Sequence, residues 1–163
     1  MTASSGPSDR SAAGSSPAAA YPAGPRPAVG AVVLHAGRVL LVRRGRPPGQ
    51  GLWSIPGGSV HLGETLQQAA EREVMEETGV AIRARQPVHT FDLVERDAAG
   101  RVRFHYVIVD LAADYLSGEP CAGDDAAAVC WATAEDLAGP DIHPATRELL
   151  RRFLPATPSK VTP

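Results

Sequence analysis

Apolar residues along the chain follow two different spacings. From Ala28 the runs AVGAVVLH and GRVLLVRR are short and nearly continuous, with a turn near Ala36 and Gly37, and they predict an antiparallel pair of strands. GRPPGQG (45–51) is turn chemistry, and LWSIPGG is a short extended segment closed by Pro56 and two glycines. The period then changes. Over 65–78, Leu66, Ala70 and Val74 recur at helical spacing, with Gly63 just before the segment, Glu64 at its mouth and Gly79 at the C-cap position. Beyond it, VAIRA (80–84), PVHTFDLVER (87–96), RVRFHYVIVDLAA (101–113) and AAAVCWAT (126–133) predict strands, the middle two joined by the turn DAAG (97–100). ATRELLRRFL (145–154) predicts a C-terminal helix through Leu149, Leu150 and Phe153. Local hairpins with two inserted helices predict an α/β architecture, a mixed sheet with helices on its faces.

The helix over 65–78 carries acid on its docking side. At about 100° per residue, Glu73 and Glu77 fall within roughly 20° of Leu66, and Glu76 lies at the edge of the apolar stripe. A merely solvated charged face would lie opposite the stripe, as Gln68 and Glu71 do. Carboxylates at i, i+3 and i+4 are neighbours on one helix, and two of them ~4 Å apart repel by about 4 kcal/mol at an effective dielectric of ~20. Three such groups require compensation. A divalent cation such as Mg²⁺ supplies it, taking oxygen ligands and keeping waters and phosphate oxygens in its shell. The glycines before the helix fit the same chemistry, because they let backbone approach a ligand closely.

Composition narrows the classes of partner. The chain has 163 residues, a net charge of -2 and Lys160 as its only lysine, so it has no basic footprint for polymeric nucleic acid. Cys121 and Cys130 do not form a disulfide framework or a zinc site. No apolar run approaches the ~18 residues of a membrane span, and the N-terminus lacks a secretory core, so the expected location is cytoplasmic. Residues 1–26 are mostly Ala, Ser, Pro and Gly and are expected to be a disordered tail. One domain over 27–155 and a flexible tail over 156–163 complete the expected organisation.

Gly58, five residues, Glu64, seven residues, then Arg72, Glu73, Val74, Met75, Glu76, Glu77, Thr78, Gly79 and Val80 resemble an intact Nudix box, with every fixed position filled. GQGLWSIPGG upstream and AVCWAT downstream extend the resemblance over about 27–155. The resemblance implies a Nudix fold, an α/β/α sandwich around a mixed sheet. It also implies hydrolysis of a nucleoside diphosphate linked to another moiety, with Mg²⁺ as cofactor and Mn²⁺ as an alternative. By the same resemblance Glu73, Glu76 and Glu77 are metal ligands, joined by the carbonyl of Gly57, and Glu73 or Glu76 orients the attacking water. Arg72 is implied to pair with Glu64 and hold the loop against the helix. Dimers are common among such proteins, and a homodimer is therefore an open expectation.

Substrate choice is less marked. Resemblance to ADP-ribose pyrophosphatase-like proteins favours an ADP-ribose-like substrate. The alternatives are a house-cleaning hydrolase of non-canonical nucleoside triphosphates and a nucleotide-sensing module without turnover. Candidate substrate contacts are Gly58, Arg43 and Arg44 near the loop leading to the box, and Arg103 and His105, which share one strand face with Arg101. The competing reading of that face is a solvated one. Phe91, Phe104, Tyr106 and Trp53 are candidates to stack on a base. Asp124 and Asp125 are candidates for a further catalytic or metal-binding acid, and His61 occupies a variable box position.

Overall fold

The computed structural model describes residues 21–123 and 126–154. Residues 1–20 of the expected tail over 1–26, the C-terminal tail and the pair Asp124 and Asp125 lie outside the described residues. Among the described residues, seven strands form one sheet: β1 (Arg26–His35), β2 (Arg38–Arg44), β3 (Trp53–Ser54), β4 (Gly57–Ser59), β5 (Ala81–Arg96), β6 (Val102–Ser117) and β7 (Ala126–Ala132). The helices are α1 (Leu66–Thr78) and α2 (Pro144–Leu150), with a 3₁₀ turn at Asp136–Ala138.

The sheet is mixed, as the pattern predicts. Its main order is β3-β2-β1-β6-β5, with β4 on β1 and β7 on β2. β1 runs parallel to β6 but antiparallel to β2 and β4. One edge of β1 is therefore shared: Ala28–Gly30 pair with β4, whereas Leu34 and His35 pair with β2. Ala36 and Gly37 take positive φ at the β1–β2 turn. Alternation along the strands sends side chains to two cores. Val29, Ala31 and Val33 pack with Ala70 and Val74 of α1, while Val32, Leu41 and Ile55 pack with Leu149 and Leu150 of α2. The result is an α/β/α sandwich.

Helix α1 begins and ends on chemistry that its sequence carries. Thr65 is the N-cap; its hydroxyl accepts from the Gln68 amide while the Gln68 side chain accepts from the Thr65 amide, a reciprocal capping box. Gly79 closes the helix in the left-handed conformation at φ 68° and donates to the Met75 carbonyl. Burying Val74 completely contributes about 1.5–3 kcal/mol to this packing.

Four expectations need correction. The segments 80–84 and 87–96 are one edge strand, β5, whose register shifts around Pro87 absorb the missing amide. Strand β6 continues past residue 113 to Ser117, and α2 ends at Leu150 with turns to Phe153. Glu71, expected on a solvated face, accepts the Ala84 amide at 3.0 Å and ties α1 to β5. N-terminal to residue 27, Arg26 is in β1, and the Tyr21 hydroxyl donates to Asp97 at 2.5 Å, with Arg101 stacked on its ring.

Candidate active site

The segment from Gly57 to Glu77 folds back on itself so that a glycine strand lies along a carboxylate helix. Strand β4 pairs with β1, and α1 packs across it, which brings Gly57 and Gly58 beside residues one helical turn apart. The Gly57 amide donates to Glu77 Oε2 at 2.9 Å. A Cβ on Gly58 would lie 2.5 Å from Cδ and both oxygens of Glu73, so the missing side chain is the space the carboxylate occupies. Gly57 is as constrained, because a Cβ there would lie 2.1 Å from the Val29 carbonyl oxygen.

Arg72 organises the acids around this cradle. Its Nε and one terminal nitrogen donate to the two Glu64 oxygens at 2.7 and 2.9 Å, a bidentate pair. The other terminal nitrogen reaches Glu73 at 2.8 Å and Glu76 at 3.1 Å, and the guanidinium also donates to the Ser59 carbonyl at 3.0 Å. The hydrogen bonds from Arg72, helped by the His61 amide, depress the Glu64 carboxyl to a pKa of about 2. The same bond to Glu64, strengthened by Glu73 and Glu76, raises the already high pKa of Arg72. One arginine thus compensates part of the acid excess that the wheel exposes. Glu76 is the outlying member, with its side chain 56% exposed against 15% for Glu73.

A pocket of about 390 Å³ opens from this cradle. Glu73, Glu77, Gly57 and Gly58 line one part of it, the loop of Arg44, Gly45, Arg46, Pro47 and Pro48 another, and His143, Ala145, Thr146 and Leu149 of the α2 region a third. Its apolar wall comes from cross-strand pairs of β5 and β6, Phe91 with Ile108 and Leu93 with Tyr106. The next pair on that face is polar: His89 Nδ1 lies 3.3 Å from Asp110 Oδ2. Burial pushes the Asp110 carboxyl upward, partly offset by His89, and burial together with the charge of Arg44 pushes His143 down.

Not every sequence candidate meets the pocket. Arg44 lines it, with Nε donating to the Pro48 carbonyl at 2.7 Å, but Arg43 instead braces the loop through the Gly51 carbonyl at 3.0 Å. Arg103 and His105 lie outside its lining, because the pleat points them to the face opposite Tyr106 and Ile108; Arg103 pairs with Glu95 at 3.7 Å. Of the aromatic candidates, Phe91 and Tyr106 line the pocket, Phe104 stacks on Tyr106, and Trp53 packs into the α2-side core. Exposed His61 contributes its amide to Glu64. Asp110, Ser54, Thr146 and His143 were not anticipated, although an acid inside the apolar stretch VIVDLAA was a visible signal.

Oxygen donors from Glu73, Glu77 and the Gly57 carbonyl suit a hard divalent cation, and the cradle at Gly58 is shaped for one of those carboxylates. Among the described residues, no three acid, histidine or cysteine side chains converge at metal-binding distance, and Arg72 bridges Glu73 and Glu76 instead. The family model of the NUDIX domain matches residues 24–153. The chain belongs to the NUDIX family. It is 33% identical over 102 residues to an ADP-ribose pyrophosphatase of Methanocaldococcus jannaschii, covering 63% of this chain but only 58% of that protein's length. A putative 8-oxo-dGTP diphosphatase 2 of Mycobacterium tuberculosis is 37% identical over 122 residues, 73% of this chain and 81% of that one. Among solved structures, a MutT NUDIX hydrolase from Burkholderia pseudomallei superposes with a TM-score of 0.67 at 35% identity, over 78% of this chain and 97% of that one.

Proposed function

We propose that this Nudix protein is a divalent-metal-dependent pyrophosphohydrolase that cleaves the diphosphate linkage of a nucleoside diphosphate derivative, with an ADP-ribose-like substrate favoured. The observation that carries this reading is the adjacency of two chemistries: Glu73 and Glu77 in their glycine cradle, at one part of a pocket whose far wall is apolar and aromatic. A nucleotide needs both, an anhydride end held by charge and a base end held by stacking.

Glu73, Glu77 and the Gly57 carbonyl would hold Mg²⁺, or Mn²⁺. When bound, such an ion supplies charge neutralisation for the diphosphate and acidifies water. Arg72 fixes the orientation of Glu73 through its 2.8 Å bond and locks the loop through Glu64. Glu73 or Glu76 takes the proton of the attacking water. Arg44 and Arg46, which also line the pocket, would meet the remaining phosphate charge. Resemblance to the archaeal ADP-ribose pyrophosphatase supports the favoured substrate.

A second reading, sanitation of oxidised nucleoside triphosphates, is favoured by the fuller coverage of the mycobacterial relative. A panel assay separates the two, using ADP-ribose, nucleotide sugars and nucleoside triphosphates with Mg²⁺, with and without chelator. AMP released from ADP-ribose supports the first, pyrophosphate released from a triphosphate the second. Turnover that survives chelator, or that Glu77→Gln leaves at the wild-type rate, overturns the metal-site assignment common to both.

A further inference from the structure

The pocket lining includes two buried polar groups that the hydrolytic chemistry does not use. Ser54 is 8% exposed, lines the pocket, and its hydroxyl oxygen is buried without a hydrogen-bond partner. A buried hydroxyl left unpaired is costly, a cost that a bound ligand removes. Asp110 is 3% exposed, lines the same pocket, and has His89 as its partner through one oxygen. Its other oxygen packs over Gly30, where a Cβ would approach it to 2.3 Å, so glycine at this position is what leaves room for the carboxylate at the pocket wall.

The placement of these groups is set by strand register. Gly30 on β1 is opposite Gly57 on one side and Asp110 on the other. Two strand spacings of ~4.8 Å therefore put the Asp110 backbone about 10 Å from Gly57, a span comparable to the reach from the amino edge of a nucleobase to its 5′ phosphates. Phe91 on β5 and Tyr106, four residues before Asp110 on β6, line the same pocket on the side of Asp110 away from Gly57, and both are suited to a base face.

We propose that Asp110 and Ser54 form a base-reading subsite that selects nucleobases carrying an exocyclic amino group, with the Asp110 carboxylate accepting from the amine and the Ser54 hydroxyl bonding the adjacent ring or carbonyl atom. An ionised carboxylate only accepts, so a base with a carbonyl in place of the amine presents oxygen to oxygen. Adenine and cytosine fit; hypoxanthine and uracil do not. The inference rests on the nucleotide reading of the pocket but not on hydrolysis.

The test measures binding of AMP and IMP, and of CMP and UMP, to the full-length protein by calorimetry, and in parallel kcat/KM for ATP and ITP or for the matching ADP-ribose pair. Wild type should prefer the amino member of each pair by at least about 10-fold, since a site built to hydrogen-bond a group rejects the analogue lacking it. Asp110→Asn presents an amide donor and should reduce or invert that ratio, an outcome that a purely structural role for Asp110 does not produce. Ser54→Ala should weaken AMP binding without lowering the melting temperature, because its hydroxyl has no partner to lose. Equal binding of AMP and IMP to wild type, or a ratio unchanged within about twofold in a folded Asp110→Asn protein, overturns the proposal. If Asp110→Asn does not fold, the wild-type ratio and Ser54→Ala decide. Selective AMP binding without turnover would sink the hydrolase reading and leave this one standing; turnover without base preference would do the reverse.

Discussion

Gly58→Ala isolates the role of the carboxylate cradle. No positive φ forces glycine at this position, so the backbone accepts alanine. The new methyl would sit 2.5 Å from Cδ, Oε1 and Oε2 of Glu73, and ordinary contact begins near 3.4 Å, so the carboxylate must retreat by about 0.9 Å. Glu73 is a flexible side chain held by one bond from Arg72 at 2.8 Å, and its retreat leaves the cores untouched. The expected loss of stability is therefore below about 1 kcal/mol, a fall in Tm of less than about 4 °C for a domain of this size. Activity should fall much further. A catalytic group displaced by ~1 Å costs about 100-fold, or about 2.7 kcal/mol of transition-state stabilisation. The assay is Mg²⁺-dependent kcat/KM on the best panel substrate beside a thermal melt, with Gly57→Ala as the contrast. There the Cβ meets the Val29 carbonyl and Gly30 Cα at 2.1 and 2.7 Å, backbone that cannot yield, and the fold should be lost. Wild-type turnover in folded Gly58→Ala would remove Glu73 from the reaction. A melt as damaged as that of Gly57→Ala would make Gly58 a backbone element only.

Glu77→Gln should keep the fold, because the amide still accepts from the Gly57 amide, while kcat falls by roughly 10²-fold or more; matched melts and kcat measurements check both halves. Thr65→Ala removes one arm of the capping box and should cost about 1 kcal/mol, read as a Tm lower by about 4 °C with little change in kcat. The Arg72 clamp should show an acid signature. Glu64 has a folded pKa near 2 against an ordinary 4.5, so its contribution is complete above about pH 4.5 and is lost as pH falls toward 2. The Tm difference between wild type and Glu64→Gln should accordingly be present at pH 7 and shrink steadily below pH 4.5, and a difference independent of pH would refute the ionic origin.

Much of the site was legible because its signals are local. Thr65 and Gly79 bracket α1, and the helical wheel alone puts Glu73 and Glu77 on the inner side and Glu76 at the margin, in agreement with their exposures. Pairing of Arg72 with Glu64 came from the family resemblance, but its bonds to Glu73 and Glu76 did not, since spacing does not show how many acids one guanidinium serves. The face of β6 that lines the pocket is that of Tyr106, a stacking candidate, rather than that of Arg103 and His105. Charged Arg103 and His105 drew attention as polar residues on one face, yet the wall of a base-sized pocket is apolar, and it is Tyr106 and Ile108 that form it.

What was not legible depends on the parallel pairing of β1 with β6, which joins residues far apart in the chain. Two oddities in the sequence are halves of one fact. Gly30 interrupts a run of valines and alanines where glycine weakens a strand, and Asp110 interrupts an apolar strand where burial raises the cost of its charge. Each alone invites a bland explanation, a local bend or a chance polar residue. Register places them opposite one another, and the space a Cβ at Gly30 would need is taken by the Asp110 carboxylate and the Ile55 side chain. The glycine is present because the acid is, and the acid lies in the pocket rather than in either core. A fold needing only stability would replace both with apolar residues at no loss. Their joint presence beside the pocket that Glu73 and Glu77 also line is what ties the pair to ligand recognition rather than to the sheet.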